Sequence, residues 1–208
     1  MFMIKISGCL IILFGAAGLI NSWSRRKQYE ILLLMDFKML FENGAFYLAK
    51  GRMKTPVFFE REKGQSDVFN QGCRQIAISL KNHWYRSGQE CWREVWSRIL
   101  EGRGADDNIV GKEILDKEVL SKEILCKYIS DQEISGRKLF DRGTRELIIS
   151  SGDVFFEKSA KAMEVKLSEC AGIMEKEIAY HQKKYKENIK VLCPVGMLCG
   201  LMLSIILM

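Results

Sequence analysis

The sequence predicts an all-α protein: a helical bundle between an N-terminal and a C-terminal transmembrane helix. Proline occurs only 2 times in 208 residues, 28 % of the residues are charged, and both ends of the chain are long uncharged stretches. Few helix breakers with abundant Lys, Glu, Leu, Ile and Met favour helix over strand. The expected domains are a transmembrane helix at 1–24, a cytoplasmic helical domain at 25–190 and a transmembrane helix at 191–208.

The N-terminal stretch runs without a charge from Ile6 to Ser24, between Lys5 and Arg25. A helix of its 19 residues would be about 28 Å long, close to the hydrocarbon thickness of a bilayer. A cleaved signal peptide is the alternative, since small residues lie within the stretch. No clear cleavage motif follows them, and most of the positive charge comes after the apolar run, so a membrane span is the preferred interpretation.

The C-terminal stretch, Val191 to Met208, has 18 residues and no charged side chain. Pro194 falls in the first turn of this predicted span, where a missing N–H group costs little. Gly196 and Gly200 form a G-x-x-x-G pair, the spacing that lets two transmembrane helices pack closely. The alternative is that both glycines merely face lipid.

The positive charge is concentrated beside the two uncharged stretches. Eight basic residues flank them, and the remaining 24 of the 32 Lys and Arg residues nearly balance 26 Asp and Glu residues. A nucleic-acid partner is therefore not expected, whereas contact with membrane lipid is. By the positive-inside rule, the seven inner basic residues predict a cell-membrane protein with two spans and a cytoplasmic central domain. These residues are Arg25, Arg26, Lys27, Lys183, Lys184, Lys186 and Lys190.

No motif predicts catalysis, a cofactor or a metal ion. The 7 cysteines are odd in number and scattered, which indicates neither a disulfide framework nor a zinc site. The spacing of Gly104 and Gly111 does not fit a phosphate-binding loop, because six residues separate them where four are required. His83 and His181 are interpreted as structural. The alternative hypothesis is a membrane-tethered enzyme that uses His83, Cys91 or nearby carboxylates.

Residues 102–143 are interpreted as an insertion. A pentad repeat begins at each of Lys112, Lys117, Lys122 and Lys127. A period of five turns about 140° around a helix, so its apolar pairs form no single face. The repeat is predicted to be helical, loosely packed and dispensable for assembly.

The last third of the chain predicts a long helix with a coiled-coil-like seam. We call this set the helix-pairing seam: Phe156, Ala160, Met163, Leu167, Met174, Ile178 and Tyr185, with Cys170 and His181 in the same register. Such a seam requires a partner. The partner could be the helix that follows the first anchor, another copy of the chain or a different protein, and the second case would make the chain a homo-oligomer or a dimeric signalling adaptor.

Several short motifs, in order along the chain, resemble the stage III sporulation protein AB family of endospore-forming bacteria. Gly51-Arg52 with Thr55-Pro56 is similar to the family's Gly-Arg-Thr-Pro turn, with two extra residues. Ser87-Gly88 followed by Trp92 and Trp96 looks like its Gly…Trp helix, and Lys183-x-Tyr185-Lys186 followed by Gly196 and Gly200 looks like its C-terminal tail. The resemblance covers residues 1–100 and 144–208.

The resemblance implies a structural role. Members of this family are membrane components of the channel between mother cell and forespore, with a helical domain like that of secretion platform proteins. It implies a non-enzymatic platform on the mother-cell side that is required for sporulation. The implied partners are a secretion-type ATPase and other membrane proteins of the channel.

Overall fold

The computed structural model describes residues 2–51, 53–101 and 139–207, apart from the side chains of 2–14, 16, 193, 197, 199–201 and 203–207. The described residues form α-helices and one short 3-10 helix, and no strand is found among them, which confirms the all-α prediction. The helices are α1 (Phe2–Tyr47), α2 (Thr55–Arg61), α3 (Asp67–Lys81), α4 (Gly88–Leu100), α5 (Arg142–Ser151), the 3-10 helix (Gly152–Phe156) and α6 (Ala160–Leu207).

Short polar side chains set the beginnings of the middle helices. The hydroxyls of Ser66 and Ser87 accept backbone N–H groups in the first turns of α3 and α4, at 3.2 and 3.1 Å. The carboxylate of Asp141 does the same for α5, at 2.9 Å. These side chains satisfy N–H groups that have no partner within the helix. Helix α2 has proline in its first turn but no side-chain cap.

The chain forms two compact units, a central unit over Leu32–Glu175 and a terminal unit made of Met1–Ile31 and Lys176–Met208. The central unit is built around an aromatic cluster contributed by five elements. Its rings pack edge-to-face, tilted or stacked, and their centroids lie as close as 4.6 Å for Phe37 and Trp96. The cluster consists of Phe37, Phe41, Phe58, Phe59, Phe69, Trp92, Trp96 and Phe155, all fully buried. Aromatic rings bury much apolar surface, so this cluster contributes strongly to the unit's stability.

The terminal unit is a pair of helices formed by the first part of α1 and the last part of α6. The rings of Trp23 and Tyr185 stack with centroids 6.1 Å apart. The hydroxyl of Tyr185 is 2.7 Å from the Ser24 hydroxyl and accepts a hydrogen bond of 2.8 Å from the Gln28 amide. One side chain of α6 therefore contacts two consecutive turns of α1.

The structure contradicts the predicted localisation and does not confirm the two membrane spans on which it was based. Within the described part of the chain, no helix is long and apolar enough to cross a bilayer. A span requires about 20 consecutive apolar residues. The described side chains of α1 begin at Gly15, and Asn21, Ser22 and Ser24 interrupt the stretch before Arg25. The prediction of a cell-membrane protein with two spans and a cytoplasmic central domain is therefore wrong for these residues.

The predicted insertion has its two ends at one point in the fold. The backbone N–H of Leu139 donates to the carbonyl oxygen of Leu100 at 3.1 Å. Leu139 and Phe140 are buried, so the core resumes at residue 139 rather than after 143. The pentad repeat itself lies outside the described residues.

Candidate interaction surfaces

In the central unit, the helix-pairing seam is buried only in its second half. Leu167, Cys170 and Met174 are buried on α6, whereas Ala160 is exposed and Met163 is half-buried. Phe156 belongs to the preceding 3-10 helix and not to α6. The seam faces α1, because a methyl group added at Gly44 would lie 3.3 Å from the Leu167 side chain.

In the terminal unit, the same seam continues through Ile178, His181 and Tyr185. Ile178 and His181 are buried, and Tyr185 contacts Trp23 and Gln28 of α1. In both units, residues of the seam thus contact the chain's own first helix, Leu167 in the central unit and Tyr185 in the terminal unit. A homodimeric adaptor that pairs through this seam would have to displace those contacts.

The seven basic flanking residues differ in their surroundings. The Lys27 ammonium lies 2.6 Å and the Arg26 guanidinium 3.6 Å from the carboxylate of Glu30, a side chain that is only 2 % exposed. A buried carboxylate needs such partners, because an isolated buried charge is costly. The other five residues are exposed: Arg25, Lys183, Lys184, Lys186 and Lys190.

Gly196 lies close to the first helix in the terminal unit. A methyl group there would lie 2.7 Å from the end of the Ile20 side chain on α1. The side chain at position 200 lies outside the described residues. Pro194, expected in the first turn of a separate helix, is instead inside α6, which runs without a break from Ala160 to Leu207.

A pair of carboxylates supports the loop between α2 and α3, and the sequence analysis missed both. Asp36 is buried on α1 and accepts the backbone N–H groups of Gln65 and Ser66 at 2.9 and 2.8 Å. Burial raises its pKa, and these two hydrogen bonds oppose the shift. Burial also raises the pKa of Glu62, which accepts a 2.8 Å hydrogen bond from the Asn43 amide.

The sequence contained a signal for Asp36. It lies three residues after Leu33 and one before Phe37, in the core-facing register of an otherwise apolar helical segment. A lone acid in that register must find hydrogen-bond donors within the fold. The side chain anchors a loop and fixes the beginning of α3, which is a structural task.

Cys91 and His83, the two residues of the alternative enzyme hypothesis, differ in their exposure to solvent. Cys91 is fully buried on α4, and burial raises its thiol pKa to about 11. Nucleophilic cysteines need the thiolate, which this environment disfavours. His83 is exposed in the turn after α3. Among the described residues, no group of three or more His, Cys, Asp or Glu side chains could hold a metal ion.

The outer face of α1 in the central unit leaves apolar side chains exposed. Met35, Met39 and Phe46 are each about 40 % exposed and lie on the side of α1 opposite the aromatic cluster. We call these three residues the outer stripe. Their spacings of four and seven place them on one helical face. Exposed apolar side chains grouped on one face are typical of protein interaction sites.

Helix α6 adds apolar surface to the same unit. Val165 and Ile173 are exposed on it, and an ion pair of 3.4 Å between Lys38 and Glu175 joins it to α1.

A polar depression of about 390 Å³ lies along α4 and includes Ser87, Arg93, Ser97 and, from α5, Ile149. Its arginine is engaged by Asp153 of the 3-10 helix, so this depression is largely saturated by the chain's own ion pairs.

Comparison with known proteins gives no assignment for these surfaces. The chain matches no protein-family model, no curated protein and no solved structure.

Proposed function

We propose that this chain is a non-enzymatic platform component of a sporulation channel complex and that it docks a secretion-type ATPase. The observation that supports a docking role is the outer stripe, where Met35, Met39 and Phe46 remain exposed on a helix whose opposite face is fully buried. The nature of the partner and the setting in sporulation come from the family resemblance of the sequence.

The central unit suits a docking role in two ways. Its interior is an aromatic cluster that fixes α1 against four other elements, so the outer stripe is held on a rigid support. Methionine side chains adapt their shape to a partner at little cost, which is why they recur at protein-binding surfaces. A partner that covers the stripe would remove three large apolar side chains from water, a gain of roughly 1 kcal/mol for each.

Photo-crosslinking in sporulating cells tests this proposal. A photoreactive amino acid at position 39 should capture the ATPase, and the same residue at Val57 serves as the control. Val57 is as exposed as Met39 but lies on α2. Capture from position 39 alone is the expected result. Equal capture from both positions, or none from position 39, would refute the docking site.

The variant Met39→Glu tests the biological role. A charge on the outer stripe should reduce heat-resistant spores without changing the thermal unfolding of the purified chain, because the side chain is outside the core. Cys91→Ser and His83→Ala test the enzyme alternative. A platform retains sporulation with both substitutions as long as the chain stays folded, whereas an enzyme that depends on either side chain does not.

A further inference from the structure

The outer stripe ends beside two exposed basic side chains, Lys50 and Arg61. The Lys50 ammonium lies 5.1 Å from the centre of the Phe46 ring, and the Arg61 guanidinium lies 5.5 Å from the centre of the Tyr47 ring. The two rings pack edge-to-face with their centroids 4.9 Å apart. An aromatic ring attracts a cation through its quadrupole but does not cancel the charge. We call Lys50 and Arg61 the basic end of the outer stripe.

The surrounding chain leaves the basic end positive. Residues 46–63 include five basic and two acidic side chains. Of the two acids, Glu60 is paired with Lys81 at 2.6 Å, and Glu62 accepts its hydrogen bond from Asn43. Glu62 lies near enough to offset part of the Arg61 charge. Within the described part of the chain, however, neither cation of the basic end forms an ion pair with a carboxylate.

The rest of the outer stripe lies beside charges that are already paired. Next to Met35 and Met39, the Lys38 ammonium lies 3.6 Å from the carboxylate of Glu42 and 3.4 Å from that of Glu175. A partner that covers the stripe therefore meets unpaired positive charge at the Phe46 end only.

We propose that the partner segment covering the outer stripe is an amphipathic polypeptide with an Asp or Glu side chain that pairs with the basic end. The inference rests on the proposed docking site and names the chemistry of its partner. The guanidinium fork of Arg61 suits a carboxylate, which it can bind through two hydrogen bonds. Complementary charge at the rim of an apolar contact fixes its register. The acidic side chain would thus set the direction in which the partner lies along α1.

The one-sided charge favours a polypeptide over other anionic partners. A nucleic acid carries phosphates along its whole length, and an anionic bilayer is charged over its whole surface. Either would place negative charge against Met35 and Met39 as well as against the basic end. A polypeptide can combine apolar side chains for the methionines with a carboxylate at one end.

Charge reversal combined with photo-crosslinking tests the proposal. In sporulating cells, a photoreactive amino acid at position 39 should capture its partner at least about threefold less in the double variant Lys50→Glu/Arg61→Gln, because two exposed ion pairs are lost. Lys183→Glu/Lys186→Gln is the matched control, since it changes the net charge equally at exposed positions of the terminal unit. The control should leave capture unchanged. Thermal unfolding should be the same in all three purified proteins.

A photoreactive phenylalanine analogue at position 46 locates the contact in a chain with its basic end intact. Mass spectrometry should place the crosslink within about one helical turn of an Asp or Glu of the partner. Replacing that acid with lysine should restore capture by the Lys50→Glu/Arg61→Gln variant.

Three results overturn the inference while leaving the docking site in place: equal capture by the double variant and the parent, a crosslinked segment without an acidic residue, or no restoration by the lysine replacement. Crosslinks to nucleic acid or lipid in place of protein overturn it as well. The absence of any capture from position 39 in the parent refutes the docking site itself, and the inference with it.

Discussion

Gly152 occupies a position where the fold has no room for a side chain. It ends α5 directly against the indole ring of Trp92, whose nitrogen donates to the carbonyl oxygen of Ile148 at 3.2 Å. Its φ of −71° is open to any residue, so the glycine is required for space and not for conformation. A fully buried, hydrogen-bonded ring cannot move aside as an exposed side chain would.

Gly152→Ala is therefore expected to destabilise the chain. Its methyl group would overlap the Trp92 ring, and overpacking of this kind costs roughly 1 to 3 kcal/mol. Gly143→Ala is the matched control near the other end of α5, where the nearest atom is 3.9 Å away. Since alanine favours helix over glycine, the control should be neutral or slightly stabilising. Chemical denaturation of both variants measures the difference, and equal midpoints would contradict the packing argument.

Glu62 is expected to make stability depend on pH. Burial raises the pKa of this carboxyl group in the folded chain, so the folded state binds its proton more tightly than the unfolded chain does. The free energy of unfolding should consequently increase as the pH falls from neutral towards the ordinary value of 4.5.

Glu62→Gln isolates this effect. Glutamine can still accept the hydrogen bond from Asn43 through its amide oxygen, but it carries no charge. The variant should be at least as stable as the parent at pH 7, and its unfolding free energy should vary less between pH 7 and pH 5. Urea denaturation at several pH values provides the measurement. An unchanged slope would show that Glu62 does not titrate as its burial implies.

At the scale of elements, the features that begin the middle helices are local in the sequence. The serine and aspartate caps, Pro56 and the apolar spacing of α3 and α4 all act within a few residues. The helix-pairing seam was also visible as a pattern, but its partner was not. A pattern on one helix shows that another surface must cover it, and only the folded chain shows that α1 does so.

The hydrogen bond between Leu100 and Leu139 leads to a prediction about the segment between them. Replacing residues 102–138 with a short Gly-Ser linker should change the free energy of unfolding by less than about 1 kcal/mol, because the two ends already meet. Extending the deletion through residue 140 removes the buried side chains of Leu139 and Phe140. That longer deletion should be clearly less stable, as measured by thermal unfolding, and equal stability would place the core boundary elsewhere.

At the scale of the whole molecule, the basic residues beside the uncharged ends predicted domain boundaries near residues 25 and 190. The structure divides the chain into its two units after Ile31 and before Lys176. Neither boundary falls in a loop, because α1 and α6 run through both units without a break. Composition could not indicate such a division, which depends on which side chains meet across the fold. The apolar ends predicted two membrane spans, whereas the described residues contain no helix able to span a membrane.

The division predicts that the central unit folds by itself. Residues 32–175 contain the complete aromatic cluster and the Asp36-anchored loop. A fragment of this length should be helical by circular dichroism and should unfold in one cooperative thermal transition. Val165→Glu, a surface change, should preserve the transition, and Phe37→Ala should lower its midpoint markedly. A gradual, non-cooperative loss of helix in the parent fragment would refute the independence of the unit.

The single hydrogen bond that brings residues 100 and 139 together also bears on how the repeat could change over generations. A pentad corresponds to fifteen bases, so slippage during DNA replication adds or removes whole units without shifting the reading frame. Closing a loop costs only about 0.6 kcal/mol more for each doubling of its length. The number of repeat units would therefore hardly change the free energy of unfolding. Closely related homologues are thus expected to differ here in steps of five residues while the aromatic cluster stays the same.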